Sequence, residues 1–180
     1  MIYITIKEAL KMNPVYWVGE RFYLTDLRLV PLTELWSDPN RRAEIIRKYE
    51  KWFKDSDVRR FLWATTPLTT AGILEMISEK FLDPASKYYM IRLPAYLDTV
   101  GHIGARNIDY ENHQADFGGV IGEKNLWGWG VMNDALNEFK AELWPDIRIL
   151  RTRVHQNNHN AKTILLKNGF TAVQSEGNYV

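Results

Sequence analysis

The chain has no cysteine among its 180 residues. Disulfides, Cys-ligated zinc and thiol nucleophiles are therefore excluded. It also lacks an excess of charge: 23 Lys and Arg against 22 Asp and Glu leave a formal net charge of +1. That balance gives no electrostatic case for a nucleic-acid partner, which needs a cationic surface. No run approaches the ~18 consecutive apolar residues of a membrane span. The first ten residues show no basic stretch followed by a long apolar one, so no signal peptide is read. These absences predict a cytoplasmic protein with neither membrane nor nucleic acid as partner. His102, His113, His155 and His159 stand without the carboxylate spacing of a metal site, so no metal is expected. Aromatics, by contrast, are plentiful. Seven Trp and nine Tyr serve either core packing or a platform for a cofactor or sugar.

An apolar fraction of 46% and a charged fraction of 25% are ordinary for a soluble globular protein of one core. The reading is one domain over 1–180, with 1–20 as an N-terminal extension. Residues 2–12 read as a short helix that Pro14 ends. Residues 22–32 alternate as a strand. Residues 41–54 have helical spacing, with Ile45, Tyr49, Trp52 and Phe53 on one side. Residues 69–81 form a second helix with Thr69 or Thr70 as N-cap and Ile73, Leu74, Ile77 and Phe81 at helical intervals. Strands follow at 88–93, 100–108 and 115–122. Val131, Ala135, Phe139 and Leu143 recur at four-residue steps, one buried helix face that ends before Pro145. A strand at 147–155, a helix at 158–168 closed by Gly169 and a last strand at 170–173 complete the order. Consecutive strands with short turns pair antiparallel. The strand–helix–strand unit at 115–154 adds one parallel pair through a right-handed crossover. The fold class is a mixed α/β (α+β) sheet, mostly antiparallel, with helices on both faces.

The most informative stretch is 115–143. A glycine-bearing strand leads into Trp127-Gly128-Trp129-Gly130 and then an amphipathic helix. Exposed N–H groups and the positive end of the helix dipole favour a phosphate-bearing ligand there. Parallel strands joined in this way splay beyond the helix start and leave backbone groups for an extended ligand.

Gly101-His102-Ile103-Gly104, Ile108-Asp109, Ala115-Asp116-Phe117-Gly118, Ile121-Gly122-Glu123 and Trp127-Gly128-Trp129-Gly130 together resemble the GNAT acyltransferase superfamily. Within it, the likeness is to ribosomal-protein and amino-sugar N-acetyltransferases. Asn158-x-x-Ala161, the run Leu166 to Phe170, and Trp52-x-x-Asp55-x-x-Val58 resemble further parts of that branch. The resemblance implies the family's fold, with one splayed parallel pair, and acetyl-CoA as cosubstrate. The pyrophosphate would lie on the loop Asn125, Trp127, Gly128, Trp129, Gly130, Val131 and Met132. The pantetheine arm would run along Gly119, Val120 and Ile121, with Asn158 reaching it from the late helix. The acceptor would be a small-molecule or peptide amine.

The sequence departs from the family pattern in four places. Trp129 stands where a basic residue is common, leaving Lys124 as the nearest cation. Gly118-Gly119 is a doubled glycine. Leu165 occupies the position of a Tyr that protonates the departing thiolate in related enzymes. The chain stops about ten residues after Phe170, so the sheet is expected to be one strand short or completed by a second copy in a homodimer.

Direct acyl transfer needs a base for the amine. Asp116 ranks first, against a solvated strand-edge carboxylate. Glu123 also starts a turn, and His102 also reads as a packed histidine. Glu111 and His113 sit in a polar turn. Arg148, Arg151 and Arg153 read as a solvated strand face or a phosphate contact. Arg41-Arg42, Arg59-Arg60, Trp52, Trp63 and Tyr88 border the expected acceptor pocket or simply cover the core. The leading acceptor is an amino sugar or nucleotide-linked amino sugar. A protein N-terminus and a non-catalytic CoA-binding subunit are the alternatives. A toxin-like acetylator of aminoacyl-tRNA is disfavoured by the near-neutral charge.

Overall fold

The computed structural model describes residues 2–5, 27–62, 69–93 and 98–172. Seven strands lie in one sheet in the order β2-β3-β4-β5-β6-β1-β7. They are β1 (Ile2–Thr5), β2 (Arg28–Pro31), β3 (Lys87–Leu93), β4 (Asp98–Asp109), β5 (Gln114–Ile121), β6 (Ile149–Thr152) and β7 (Thr171–Ala172). Among the described residues only β5 and β6 run parallel; the other described pairs are antiparallel. The expected mixed sheet is therefore the fold.

The start of the chain differs from the helix expected over 2–12. Ile2–Thr5 is a strand, and the remainder of that segment lies outside the described residues. Ile-Tyr-Ile-Thr is β-branched and aromatic, a composition suited to a pleated surface rather than a helix. β1 pairs β6 on one side and β7 on the other.

The helices are α1 (Leu32–Ser37), α2 (Pro39–Lys54), α3 (Ser56–Arg59), α4 (Thr70–Met76), α5 (Val131–Leu143) and α6 (His159–Lys167). Side-chain caps set several starts. Asp38 accepts from the N–H of Asn40, Asp55 from Asp57, Thr69 from Gly72 and Asn158 from Ala161. A π turn, Ile77–Phe81, continues α4. Leu74 is exposed, against the expected apolar face, while Ile73, Ile77 and Phe81 stay buried. The strand expected over 22–32 is β2, shortened because Leu32 opens α1; residues 22–26 lie outside the described residues.

Each sheet face carries its own apolar cluster. Val131, Ala135, Phe139 and Leu143 of α5 and Leu165 of α6 pack on one face with Ile103, Ala105, Ala115 and Ile121. Tyr49, Trp52 and Phe53 of α2 pack on the other with Ile73, Ile77, Met90 and Val120. Val120 and Ile121 go to opposite faces, as the two-residue period of a strand requires. Lys140 sits in the α5 cluster, 5% exposed, and donates to Asn168 Oδ1 at 3.0 Å. Asn168 Nδ2 in turn donates to Asn133 Oδ1 at 2.8 Å, so the end of α6 grips the first turn of α5.

The two clusters meet at Gly122. A Cβ there would stand 2.1 Å from Trp52 Cδ2, so only glycine lets the indole lie on the chain. Gly122→Ala is expected to cost about 1–3 kcal/mol through overpacking. Denaturant unfolding of the variant measures that cost, and an unchanged midpoint would remove this contact as a structural requirement.

Candidate active site

The parallel pair is short. Gln114, Ala115 and Asp116 face Ile149, Leu150 and Arg151, and the pairing ends there. β5 continues to Ile121, paired with β4 alone, so a gap opens beyond Asp116. Gly122 donates its N–H to the Val100 carbonyl at 2.9 Å. Backbone groups alternate along a strand, so Val120 also faces β4, whereas Gly119 and Ile121 face the gap. The Ile121 carbonyl accepts the Trp127 indole N–H at 2.8 Å, which anchors the following loop to the lip of the gap. Met132 lies against Gly119, where a Cβ would stand 3.1 Å from its Cε.

The loop ends in two left-handed glycines, Gly128 (φ 82°) and Gly130 (φ 88°). Both conformations are costly for residues with a Cβ. They turn the chain into α5, whose N-cap Gly130 offers no side-chain acceptor. The first intrahelical bond recorded at this end is Asp134 N–H to Gly130 O, at 3.0 Å. The N–H groups of Val131, Met132 and Asn133 therefore face outward, at the positive end of a 13-residue helix. Trp127 and Trp129 are 41% and 47% exposed beside them, and Asn125 is exposed in the preceding 3-10 turn. This arrangement suits a phosphate-bearing ligand held by backbone donors. Lys124, the cation expected to assist, is instead committed to Asp55 and Asp57 at 2.7 and 2.9 Å.

Glu123 is similarly engaged. It accepts from Lys51 at 2.6 Å, Trp52 Nε1 at 3.1 Å and Lys48 at 3.3 Å. Burial raises its pKa, but the hydrogen bonds from Lys51 and Trp52 and the charge of Lys48 prevail and hold it below the usual value. Lys48 also pairs with Asp98. Sequence reasoning missed this clamp, although Lys48, Lys51 and Trp52 at i, i+3 and i+4 lie along one helix face.

Asp116 lies at the vertex of the gap, on the sheet face that carries α2 and α4. Arg106 and Arg151 stand opposite it on the two neighbouring strands. Asn107 Nδ2 donates to its Oδ2 at 2.8 Å, and Arg151 Nε lies 3.2 Å from its Oδ1. The next residue on this face, Gly118, has open space above it; a Cβ there would touch nothing within 4 Å. Tyr88 walls that space, its ring lying over Gly104 where a Cβ would stand 2.3 Å from Cδ1. His102 sits further along the same face, with Nδ1 2.9 Å from the Tyr49 hydroxyl and its ring among Tyr49, Phe81 and Tyr88. Burial lowers its pKa to about 4, so it is neutral at working pH.

Asn158 spends its side-chain oxygen on the Ala161 N–H at 3.1 Å. With Arg60, Phe61, Asn157, His159 and Asn160 it lines a cleft of about 400 Å³ between the end of α3 and the start of α6. Leu165 is buried and offers no proton. His113 contacts the Asp146 carbonyl at 2.8 Å, and Glu111 is exposed. His155 and His159 stand four residues apart, and among the described residues no group of three or more His, Asp or Glu side chains could hold a metal ion. The three strand arginines do not share a face. Arg148 precedes β6 and lies over Trp144, Arg151 meets Asp116, and Arg153 follows the strand. Arg41 pairs with Glu44 and Arg42 lies over Trp36; Trp63 is outside the described residues.

Two outcomes follow from this geometry. Gly130→Asp and Gly130→Asn place comparable side chains in the same left-handed position, but only Asp adds an anion. Acetyl-CoA affinity should fall about tenfold or more in the Asp variant relative to Asn, by the dipole and charge arithmetic of a helix start. Equal affinities by calorimetry would remove the phosphate site. The second outcome concerns His102, whose folded pKa lies below the unfolded value near 6.5. The unfolded chain takes up the proton first, so stability is lost as pH falls from about 6.5 towards 4, by up to about 3 kcal/mol. Denaturant unfolding across that window should show a steeper loss for the native protein than for His102→Gln.

The sequence pattern described as an Acetyltransferase (GNAT) domain matches residues 29–171. No curated protein sequence matches the chain. Among solved structures, an acetyltransferase from Thermus thermophilus is similar at 21% identity and a TM-score of 0.67, over 87% of this chain and 94% of that one. A spermidine N-acetyltransferase from Vibrio cholerae in complex with CoA and spermine has 15% identity and a TM-score of 0.66, over 82% of each chain. A ribosomal L7/L12 alpha-N-protein acetyltransferase in complex with coenzyme A has 20% identity and a TM-score of 0.62, over 83% and 82%. The fold is common to all of them, and the matched pattern spans most of the chain. The chain belongs to the GNAT acetyltransferase family, and its activity is acetyl-CoA-dependent N-acetyl transfer.

Proposed function

We propose that this enzyme acetylates an amino sugar or nucleotide-linked amino sugar in the cytoplasm. The observation that carries the reading is the gap between β5 and β6, open to a helix start at one end and to the Gly118 floor at the other. The loop Asn125 to Met132 holds the pyrophosphate on the N–H groups that begin α5. Gly119 and Ile121 receive the pantetheine arm as an added strand would be received, with Val120 shaping the gap from β4. Asn158 borders the same arm from α6. Gly128 supports this fit, because its open, left-handed position leaves room for a ligand against the backbone.

Bound acetyl-CoA supplies an acetyl group activated as a thioester. The chain contributes orientation and proton handling. The Gly119 N–H, which faces the gap on the side nearer Asp116, polarises the thioester carbonyl. Asp116 takes the proton from the acceptor ammonium, so that a neutral amine is presented. Glu123 is ranked below it because Lys51, Trp52 and Lys48 close on its carboxylate and hold its pKa below the ordinary value. His102 is ranked below it because burial holds its imidazole far from the pH of the reaction. The Tyr88 ring beside the open Gly118 floor favours a sugar ring over an extended peptide.

Calorimetric titration with acetyl-CoA, with ATP as control, tests the cofactor assignment. Micromolar binding of acetyl-CoA alone supports it, and no binding at millimolar concentration contradicts it. Asp116→Asn should lower kcat by about 10²-fold or more while leaving acetyl-CoA affinity within a few-fold. Equal turnover by both proteins across pH 6–9 would remove Asp116 as the base.

A further inference from the structure

Asp116 is a single carboxylate flanked by two arginines on the neighbouring strands, of which Arg151 makes the close contact. Arg106 on β4 and Arg151 on β6 are both in register with it and share its face. The local charge is therefore cationic by one unit at the vertex where the acceptor amine is expected. An ordinary cross-strand ion pair would leave every donor satisfied. Arg151 does not fit that description. Its Nε is buried and makes no hydrogen bond, although it lies 3.2 Å from Asp116 Oδ1. The contact is electrostatic, and Asp116 Oδ2 is already held by Asn107. The Arg151 side chain stays 23% exposed, so its terminal nitrogens can meet a ligand oxygen.

These groups lie away from the phosphate end of the site. Asp116 precedes Ile121 by five strand residues, about 17 Å of β5. It also faces α2 and α4, whereas the α5 helix start packs against the other face. The nearest open volume on its own face is above Gly118, walled by Tyr88.

We propose that the acceptor carries an anionic group close to its amine, received by Arg151 and Arg106 while Asp116 faces the amine. This rests on acyl transfer taking place at the gap. An amino sugar bearing a phosphate or carboxylate fits this pattern. A polyamine does not, because its additional ammonium groups would meet two arginines against one carboxylate.

Initial rates of thiol release from acetyl-CoA test this with four acceptors: glucosamine, glucosamine 6-phosphate, muramic acid and spermidine. The phosphate and carboxylate members distinguish the two sources of charge. The expected result is a kcat/KM for at least one anionic sugar about tenfold or more above that for glucosamine, the range of a charge-assisted hydrogen bond, with spermidine lowest. Arg151→Met should bring the ratio to within a few-fold through KM. Arg106→Met, at an exposed side chain that does not threaten the fold, should reduce it in part. Arg151→Lys should restore some of the preference, which a purely structural role would not. Equal rates for charged and neutral sugars, preference for spermidine, or an unchanged ratio in Arg151→Met would overturn the proposal. Turnover of none of the four would overturn it too, and acetyl-CoA titration then decides separately whether the transferase reading survives.

Discussion

A tryptophan lying on a glycine holds the two sides of this molecule in register. Trp52 is fully buried, its indole covers Gly122, and its N–H donates to Glu123. Gly122 is the residue at which β5 leaves the sheet for the phosphate-type loop. The contact therefore fixes α2, on one face, to the start of a loop that serves the other. Lys48 and Lys51 close on Glu123, and Lys124 reaches across to Asp55 and Asp57 at the start of α3. Exposed ion pairs of this kind contribute little alone. Here they surround a buried aromatic contact that already sets the geometry, so their effect is orientation. The Trp52 to Asp55 motif and the loop at Glu123-Lys124, far apart in sequence, prove to be two halves of one joint.

The second constraint is the brevity of the β5–β6 pairing. Three residue pairs hold the strands together, after which β5 loses its neighbour. A free strand edge inside a sheet is unfavourable unless something satisfies its backbone groups. β1 completes β6 on its far side, so the sheet remains continuous everywhere except at the gap. Trp127 covers one carbonyl at the lip, and the remaining groups are left to an extended ligand. The Lys140–Asn168–Asn133 chain of hydrogen bonds then fixes α6 against the first turn of α5, where the helix donors begin.

The two faces of the gap differ in chemistry. The α5 side offers neutral backbone donors and a helix dipole, with the nearby lysine spent elsewhere. The α2 side offers Asp116 between two arginines, beside an open glycine floor. In the proposed function, a neutral phosphate cradle and a charged acceptor vertex divide the work of one acyl transfer between them. His102 is buried and neutral, and Glu123 is held by three donors.

Local pattern was enough for much of this. Four-residue spacing placed α5 from Val131 to Leu143, Thr69 capped its helix, and glycines at 128, 130 and 169 marked turns that prove left-handed. Those features depend on neighbours within a turn of chain, so the sequence determined them by itself. The helix expected over 2–12 failed because a four-residue β-rich segment takes its structure from the strands beside it, and β6 and β7 lie far along the chain. The commitment of Lys124 to Asp55 and Asp57, the neutrality of His102 and the pairing of Arg151 with Asp116 were equally out of reach. Each depends on burial or on a partner brought close only when the sheet and its helices assemble. The sequence determined where donors, turns and apolar faces would lie; the tertiary structure decided which charges remain free, because only packing sets who pairs with whom.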